Sequence, residues 1–161
     1  MLQREAEAVA AQAGGQLGRV GQIFRRHLLA HLEHDALRIV FQVSEQVSAE
    51  YLADTTELAA GLRRDGFRFA LEHFGSGRDP RRLLAHLPMD YIKVDGTLMQ
   101  GLSVDQDLQQ RVRDLVDQAK SRNVGTIAER VEDANTMAVL WQLGIEFIQG
   151  YFVNEPESVT I

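Results

Sequence analysis

The chain has 161 residues, of which 45% are hydrophobic, and it contains no cysteine. This composition suits one domain with a real core, excludes disulfides and thiolate metal sites, and fits a reducing compartment. The net charge of −6 disfavours a general nucleic-acid-binding surface, and no apolar run approaches the length that spans a bilayer. We therefore expect a cytoplasmic protein with no nucleic-acid partner and no membrane span.

The first part of the chain has a helical pattern. Residues 2–13 are rich in Ala, Glu and Gln, which favour helices, and Gly14 and Gly15 interrupt them. Apolar residues then recur at helical spacing over residues 20–32. We divide the chain into an N-terminal helical arm, residues 1–19, and one domain, residues 20–161.

Short apolar runs and helical stretches alternate along the rest of the chain. The predicted strands cover residues 37–43, 67–71, 91–94, 124–128 and 147–148. The predicted helices cover residues 49–64, 81–87, 105–122 and 134–143. In the last helix we expect Met137, Ala138 and Trp141 to face the core. Alternation of this kind predicts right-handed βαβ units and a parallel sheet, either closed as a barrel or open.

Polar residues stand at the end of each predicted strand. They are Glu45, Glu72 with His73, Lys93 with Asp95, Glu129, and Gln149. Such residues converge on one face of a barrel or line a crevice of an open sheet, which is how α/β proteins build sites. Arg78, Arg81 and Arg82 follow the glycine turn after His73, and we interpret them as a solvated face, with an anionic ligand or partner as the alternative.

Four segments resemble the EAL-domain family of cyclic-di-GMP phosphodiesterases. They are FQVSE, FALEHFGSG, LPMDYIKVDGTLMQGL and TIAERVEDANTMAVLWQLGIEFIQGYFVNEP. They resemble the family's E-x-T-E, DDFGTG, LPVDYLKID and AEGVET…QGY segments, in the same order. The resemblance implies a TIM-type (β/α) barrel, of which this chain holds about the last five strands, preceded by helices. The last segment is most similar to the degenerate EAL domain of a type IV pilus regulator.

The chain departs from the family where the resemblance implies two divalent metals. Gln42 stands in place of a glutamate, and Glu72 and His73 stand in place of an aspartate pair, while Glu45 remains a carboxylate. Mg²⁺ prefers oxygen ligands, and two metals need more negative charge than these residues supply. We therefore expect no metal at these four vestigial positions, no catalytic residues, and a protein that is not an enzyme.

The resemblance also implies a set of ligand-binding residues. They are Lys93, Glu129, Arg130, Gln149, Gly150 and Tyr151. The resemblance implies that Glu129 accepts hydrogen bonds from a guanine edge. Arg130 replaces a family glycine, and its guanidinium suits a phosphate. Lys93 has two readings: it neutralises a phosphate, or it forms a purely structural bridge to Glu72 or Glu129.

We expect a cyclic-di-GMP receptor with no other cofactor, acting through protein contacts. By resemblance, its process is type IV pilus regulation and its partner is a PilZ-domain protein. One alternative is a ligand-free interaction or dimerisation scaffold, and a less favoured one is an active phosphodiesterase. A complete barrel takes about 250 residues, and a partial barrel leaves open sheet edges. We therefore expect self-association or a missing N-terminal segment that completes the barrel.

Overall fold

The computed structural model describes residues 40–153. The predicted arm at residues 1–19, the helical pattern at 20–32, the first residues of strand 37–43 and the tail after Pro156 lie outside the described residues. The division of the chain at residue 19 therefore stays a prediction.

The described residues form one parallel five-stranded sheet. The strands are β1 Val40–Ser44, β2 Arg68–Phe74, β3 Tyr91–Val94, β4 Gly125–Ala128 and β5 Phe147–Ile148. Each strand pairs with the next one in chain order, so that the spatial order is β1-β2-β3-β4-β5. This arrangement confirms the predicted α/β fold and is consistent with a partial (β/α) barrel. Because all strands are parallel, their C-terminal ends lie along the same edge of the sheet.

Helices connect the strands. They are α1 Glu45–Glu50, α2 Leu52–Arg64, α3 Pro80–His86, α4 Gln106–Lys120 and α5 Ala134–Leu143, with a 3-10 helix at Gly96–Met99. Each of α1, α3, α4 and α5 begins with a side-chain cap, in which Ser44, Asp79, Asp105 or Asp133 accepts from a backbone N–H three residues later. No helix within residues 40–153 is long and apolar enough to cross a membrane.

Two elements differ from the sequence predictions. The helix predicted over residues 49–64 is two helices, because the backbone leaves helical geometry at Tyr51, with φ −118° and ψ 50°. Strand β2 continues past Leu71 to Phe74, so Glu72 and His73 lie inside the strand. The register between β2 and β3 shifts between Leu71 and Phe74, and His73 has φ 55°. This irregularity re-aims side chains at the end of β2.

The core fills the space between the sheet and the helices. Phe69, Ala70 and Leu71 are fully buried one after another in the inner strand β2, as expected for a strand covered on both faces. From α4, the stripe Val112, Leu115, Val116 and Ala119 is buried at helical spacing. The core thus fixes the strands whose ends carry the polar residues.

The prediction that Trp141 and Ala138 face the core is wrong. Trp141 is 59% exposed, and Ala138 is exposed as well. The buried stripe of α5 runs through Thr136, Leu140 and Leu143. Trp141 lies about 100° around the helix from Leu140, so it points out of this stripe. Met137 is half-buried against the core, as predicted.

The packing of α5 predicts that two neighbouring substitutions lower the free energy of unfolding by very different amounts. Leu140→Ala removes a fully buried side chain and should lower the free energy of unfolding by about 2–5 kcal/mol. Trp141→Ala should change it by no more than about 1 kcal/mol, because the indole is largely exposed. Urea unfolding followed by circular dichroism measures both. A larger cost at Trp141 than at Leu140 would contradict the observed helix phase.

Candidate functional site

The ends of four strands meet around the ammonium group of Lys93. Lys93 Nζ lies 2.9 Å from Gln42 Oε1, 3.4 Å from Glu72 Oε1 and 2.7 Å from Glu129 Oε1. The residue is only 4% exposed. An ammonium group has three N–H donors, and three oxygens from three other chain segments surround this one. The structural bridge, one of the two readings of Lys93, is therefore present, and it involves both glutamates.

Glu45 contacts the glycine turn after β2. Its Oε2 accepts hydrogen bonds from the backbone N–H of Gly75 at 2.9 Å and of Gly77 at 3.0 Å, and the residue is 2% exposed. A Cβ atom at Gly77 would lie 2.7 Å from Glu45 Oε1, so the close approach depends on glycine there. Glu45 thus ties the end of β1 to the turn that follows β2.

His73 and Asp95 form a second contact at the strand ends. His73 Nδ1 lies 3.0 Å from Asp95 Oδ2, and the imidazole is 52% exposed. Asp95 also accepts from the backbone N–H of Thr97 at 2.9 Å and from its hydroxyl group. Burial favours the neutral form of the Asp95 carboxyl, but the hydrogen bonds from Thr97 and His73 outweigh it. The pKa of Asp95 therefore lies below its ordinary value of 3.8.

The arrangement does not fit the two divalent metals that the family resemblance implies. Gln42 and Glu72 contact Lys93, Glu45 contacts the glycine turn, and His73 contacts Asp95. Among residues 40–153, no group of three or more histidine, aspartate and glutamate side chains is placed to hold a metal ion. The four positions are occupied by contacts within the protein.

Five of the six predicted ligand-binding residues line one depression of about 600 Å³. They are Glu129, Arg130, Gln149, Gly150 and Tyr151, and Ile148 and Val153 complete the lining. Lys93 is not part of the lining, but it contacts Glu129. The Tyr151 side chain is 67% exposed and so is not packed into the core. The two separated segments of the predicted site are therefore brought together.

Backbone contacts hold these two segments against each other. The N–H of Gln149 donates to Ala128 O at 2.8 Å, and the N–H of Val131 donates to Gln149 O at 3.2 Å. A Cβ atom at Gly150 would lie 2.3 Å from Val131 O, so only glycine allows this approach of the two backbones. This requirement explains the glycine in the sequence Gln149-Gly150-Tyr151.

A smaller depression of about 200 Å³ adjoins the first and shares Arg130 with it. Its wall includes Gly96, Glu132 and Asp133, which the sequence interpretation did not assign to a site. Gly96 has a specific role, because a Cβ atom there would lie 2.5 Å from Arg130 Cδ. The sequence did contain an indication of this role, since Gly96 directly follows the strand-end aspartate Asp95.

Removal of the Lys93 ammonium should strongly destabilise the fold. Lys93→Met leaves the Glu72 and Glu129 carboxylates, which are 14% and 17% exposed, without their cation. We expect a loss of about 3–5 kcal/mol in the free energy of unfolding. The matched variant Lys120→Met, on the exposed end of α4, should cost less than about 1 kcal/mol. Urea unfolding compares them, and an equal cost would contradict the role of the network.

The lowered pKa of Asp95 predicts a pH-dependent stability difference between the natural chain and Asp95→Asn. A carboxyl with a depressed pKa stabilises the folded state above its unfolded pKa, and this contribution is lost as pH falls through the folded pKa. The natural chain should therefore be more stable at pH about 5, and the difference should shrink toward pH about 2. Urea midpoints across this range measure it. A stability difference that grows on acidification would contradict the assignment. Thr97→Val lacks the hydroxyl donor to Asp95, so its stability advantage over Asp95→Asn at pH about 5 should be smaller than that of the natural chain.

Curated relatives of the chain are cyclic di-GMP phosphodiesterases. PdeB of Shewanella oneidensis is 32% identical over 121 residues, which are 75% of this chain and 14% of PdeB. PdeL of Escherichia coli strain K12 is 28% identical over 130 residues, which are 81% of this chain and 36% of PdeL. The chain therefore spans only 14% and 36% of the length of these two relatives.

A solved structure shares this fold. The FimX EAL domain from Pseudomonas aeruginosa, crystallised with c-di-GMP, is 26% identical with a TM-score of 0.78. The match covers 97% of this chain and 68% of that domain. The regulator whose EAL domain the last sequence segment resembles is FimX, and the similarity to that domain is confirmed.

The expectation that the chain is not an enzyme is wrong. It depended on the substitutions at Gln42, Glu72 and His73 and on the absence of the EAL motif and the first strands of the barrel, whereas the curated relatives that match over most of the chain are named as phosphodiesterases. These departures from the family pattern are therefore insufficient to assign the chain to a class without activity.

The family is established over most of the chain. The model of the EAL domain matches residues 15–156, which include all four of the sequence segments described above. The same residues form the parallel sheet and the depression at its strand ends. The chain belongs to the EAL domain family.

Proposed function

We propose that this chain binds cyclic-di-GMP in the depression between β4 and β5 and acts as a receptor in cyclic-di-GMP signalling. The observation that carries the proposal is the convergence of Glu129 and Arg130 with Gln149, Gly150 and Tyr151 on one depression. The solved FimX EAL domain, which is similar over 97% of this chain, is bound to c-di-GMP. Lys93 contributes to the proposed site through its ion pair with Glu129.

The lining residues have the chemistry that a guanine dinucleotide needs. The Glu129 carboxylate accepts hydrogen bonds, and the Watson–Crick edge of guanine presents N–H donors. The exposed Tyr151 ring offers a face on which a base can stack. The Arg130 guanidinium matches a phosphate group, and Gln149 offers both a donor and an acceptor. These pairings are proposed roles of the five residues.

The receptor acts through protein contacts in this proposal. The resemblance of the last sequence segment to a type IV pilus regulator is the basis for proposing type IV pilus regulation as the process and a PilZ-domain protein as the partner. Self-association is the other proposed contact. The cytoplasmic location expected from the sequence stays a prediction.

Hydrolysis of the bound dinucleotide is a second candidate function. The names of the curated relatives favour it, since both PdeB and PdeL are cyclic di-GMP phosphodiesterases. It shares the first step, ligand binding, with the receptor function. Incubation of the chain with cyclic-di-GMP and Mg²⁺ or Mn²⁺, followed by chromatography of the nucleotides, tests it. Appearance of the linear dinucleotide supports hydrolysis, and intact ligand supports the receptor function.

Titration calorimetry with cyclic-di-GMP tests the proposed function. We expect saturable binding of cyclic-di-GMP and much weaker binding of cyclic-di-AMP, because the N1 atom of adenine is an acceptor and repels the Glu129 carboxylate. No heat at high micromolar cyclic-di-GMP would contradict the proposal and favour the ligand-free scaffold.

Glu129→Gln tests the proposed guanine contact. It should weaken binding by about tenfold or more, because a hydrogen bond to a charged group is lost. The matched control is Glu146→Gln, whose carboxylate is exposed and lies outside the lining of both depressions. Equal affinity of the two variants would contradict the assignment of Glu129.

A further inference from the structure

Two cations lie at the proposed cyclic-di-GMP site, and their surroundings differ. Lys93 is 4% exposed, and oxygens of Gln42, Glu72 and Glu129 surround its ammonium group. Arg130 is exposed and lines both depressions. Within residues 40–153, no carboxylate forms an ion pair with Arg130. The donors of Lys93 are therefore engaged inside the protein, whereas Arg130 is an exposed residue in the lining of both depressions.

The charges around Lys93 do not cancel, so an anionic ligand at this site needs a further cation. Glu72 and Glu129 carry two negative charges, and Lys93 supplies one positive charge. The group is therefore net negative by about one charge and repels an anionic ligand. Among the described residues that line the larger depression, Arg130 is the only cation. An anion that enters this depression is stabilised only if it lies near Arg130.

The backbone at Arg130 is held in an unfavourable conformation. Its φ of 55° lies in the left-handed region, which glycine adopts freely and residues with a Cβ adopt at a cost. Its stem packs on Gly96, where a Cβ atom would come within 2.5 Å of Arg130 Cδ. Strained residues of this kind concentrate at functional sites, where the surrounding structure fixes them. Gly96 thus leaves the space that the Arg130 stem occupies beside both depressions.

Resting on the proposed function, we infer that Arg130 is the phosphate-recognition residue of the site and that Lys93 does not contact the ligand. A guanidinium group presents paired N–H donors that match the two free oxygens of a phosphodiester. Arg130 lies where the two depressions meet, and the phosphodiester is placed on its side toward the larger one, away from the Glu132 and Asp133 carboxylates of the smaller one. The bases then extend along the larger depression, where Glu129 and Tyr151 lie.

Arg130→Gly tests this inference without disrupting the fold, because glycine adopts φ of 55° without strain. Its thermal midpoint should be unchanged or higher than that of the natural chain. Titration calorimetry should show that cyclic-di-GMP binds roughly 10- to 100-fold more weakly to Arg130→Gly, because a charge-assisted hydrogen bond is lost. The matched control Arg113→Ala, on an exposed position of α4, should bind like the natural chain.

The salt dependence of binding shows whether Arg130→Gly loses a phosphate contact or only side-chain packing. Raising NaCl from about 50 mM to about 500 mM should weaken binding to the natural chain more than to Arg130→Gly, because screening acts on the phosphate–guanidinium attraction. Equal affinity of the natural chain and Arg130→Gly would overturn the inference and leave the proposed function standing. Lower affinity with unchanged salt dependence would also overturn it. Absence of binding to the natural chain would instead overturn the proposed function itself.

Discussion

The buried ammonium group of Lys93 is the point on which the strand ends depend. A carboxylate or an ammonium group taken out of water is costly unless a partner of opposite charge and further hydrogen bonds compensate it. Here the partners come from β1, from β2 and from the residue after β4, so one side chain fixes the relative position of four neighbouring segments. The position of Glu129 in the ligand depression thus follows from a contact made on β3.

The polar residues at the strand ends divide into two kinds. Glu45 and Asp95 accept backbone N–H groups of the turns that follow β2 and β3, so they determine the loop conformations. Arg130 and Tyr151 are exposed and lack such contacts with the described residues, so they are open to solvent. Resemblance to a motif identifies all of these positions equally. Burial and hydrogen bonding distinguish those that support the site from those that can meet a ligand.

Sequence patterns predicted the five strands and their parallel arrangement well, because buried parallel strands appear as isolated apolar runs between helices. The pairing of residues 129–130 with residues 149–151 was also predictable, since β4 and β5 are adjacent in the fold. The exposure of the α5 face that carries Trp141 was not predictable, because a mostly apolar helix allows more than one choice of buried face. The contact between Lys93 and Gln42 was not predictable either, since it joins residues 51 positions apart. The expected loss of enzymatic activity failed because it counted side chains at single positions and ignored the relatives' wider similarity.

The shortness of β5 has a thermodynamic consequence for the depression. β5 has two residues and pairs with β4 through only two positions, Ile127 with Phe147 and Ala128 with Ile148. Segments with few such contacts open at a lower free energy than the central strands. A ligand that touches both Glu129 and Tyr151 connects the segments that follow these two strands. Its binding therefore stabilises the pairing of β4 with β5, and stable pairing in turn favours binding. Under the proposed function, occupancy of the depression should therefore slow amide hydrogen exchange in β5.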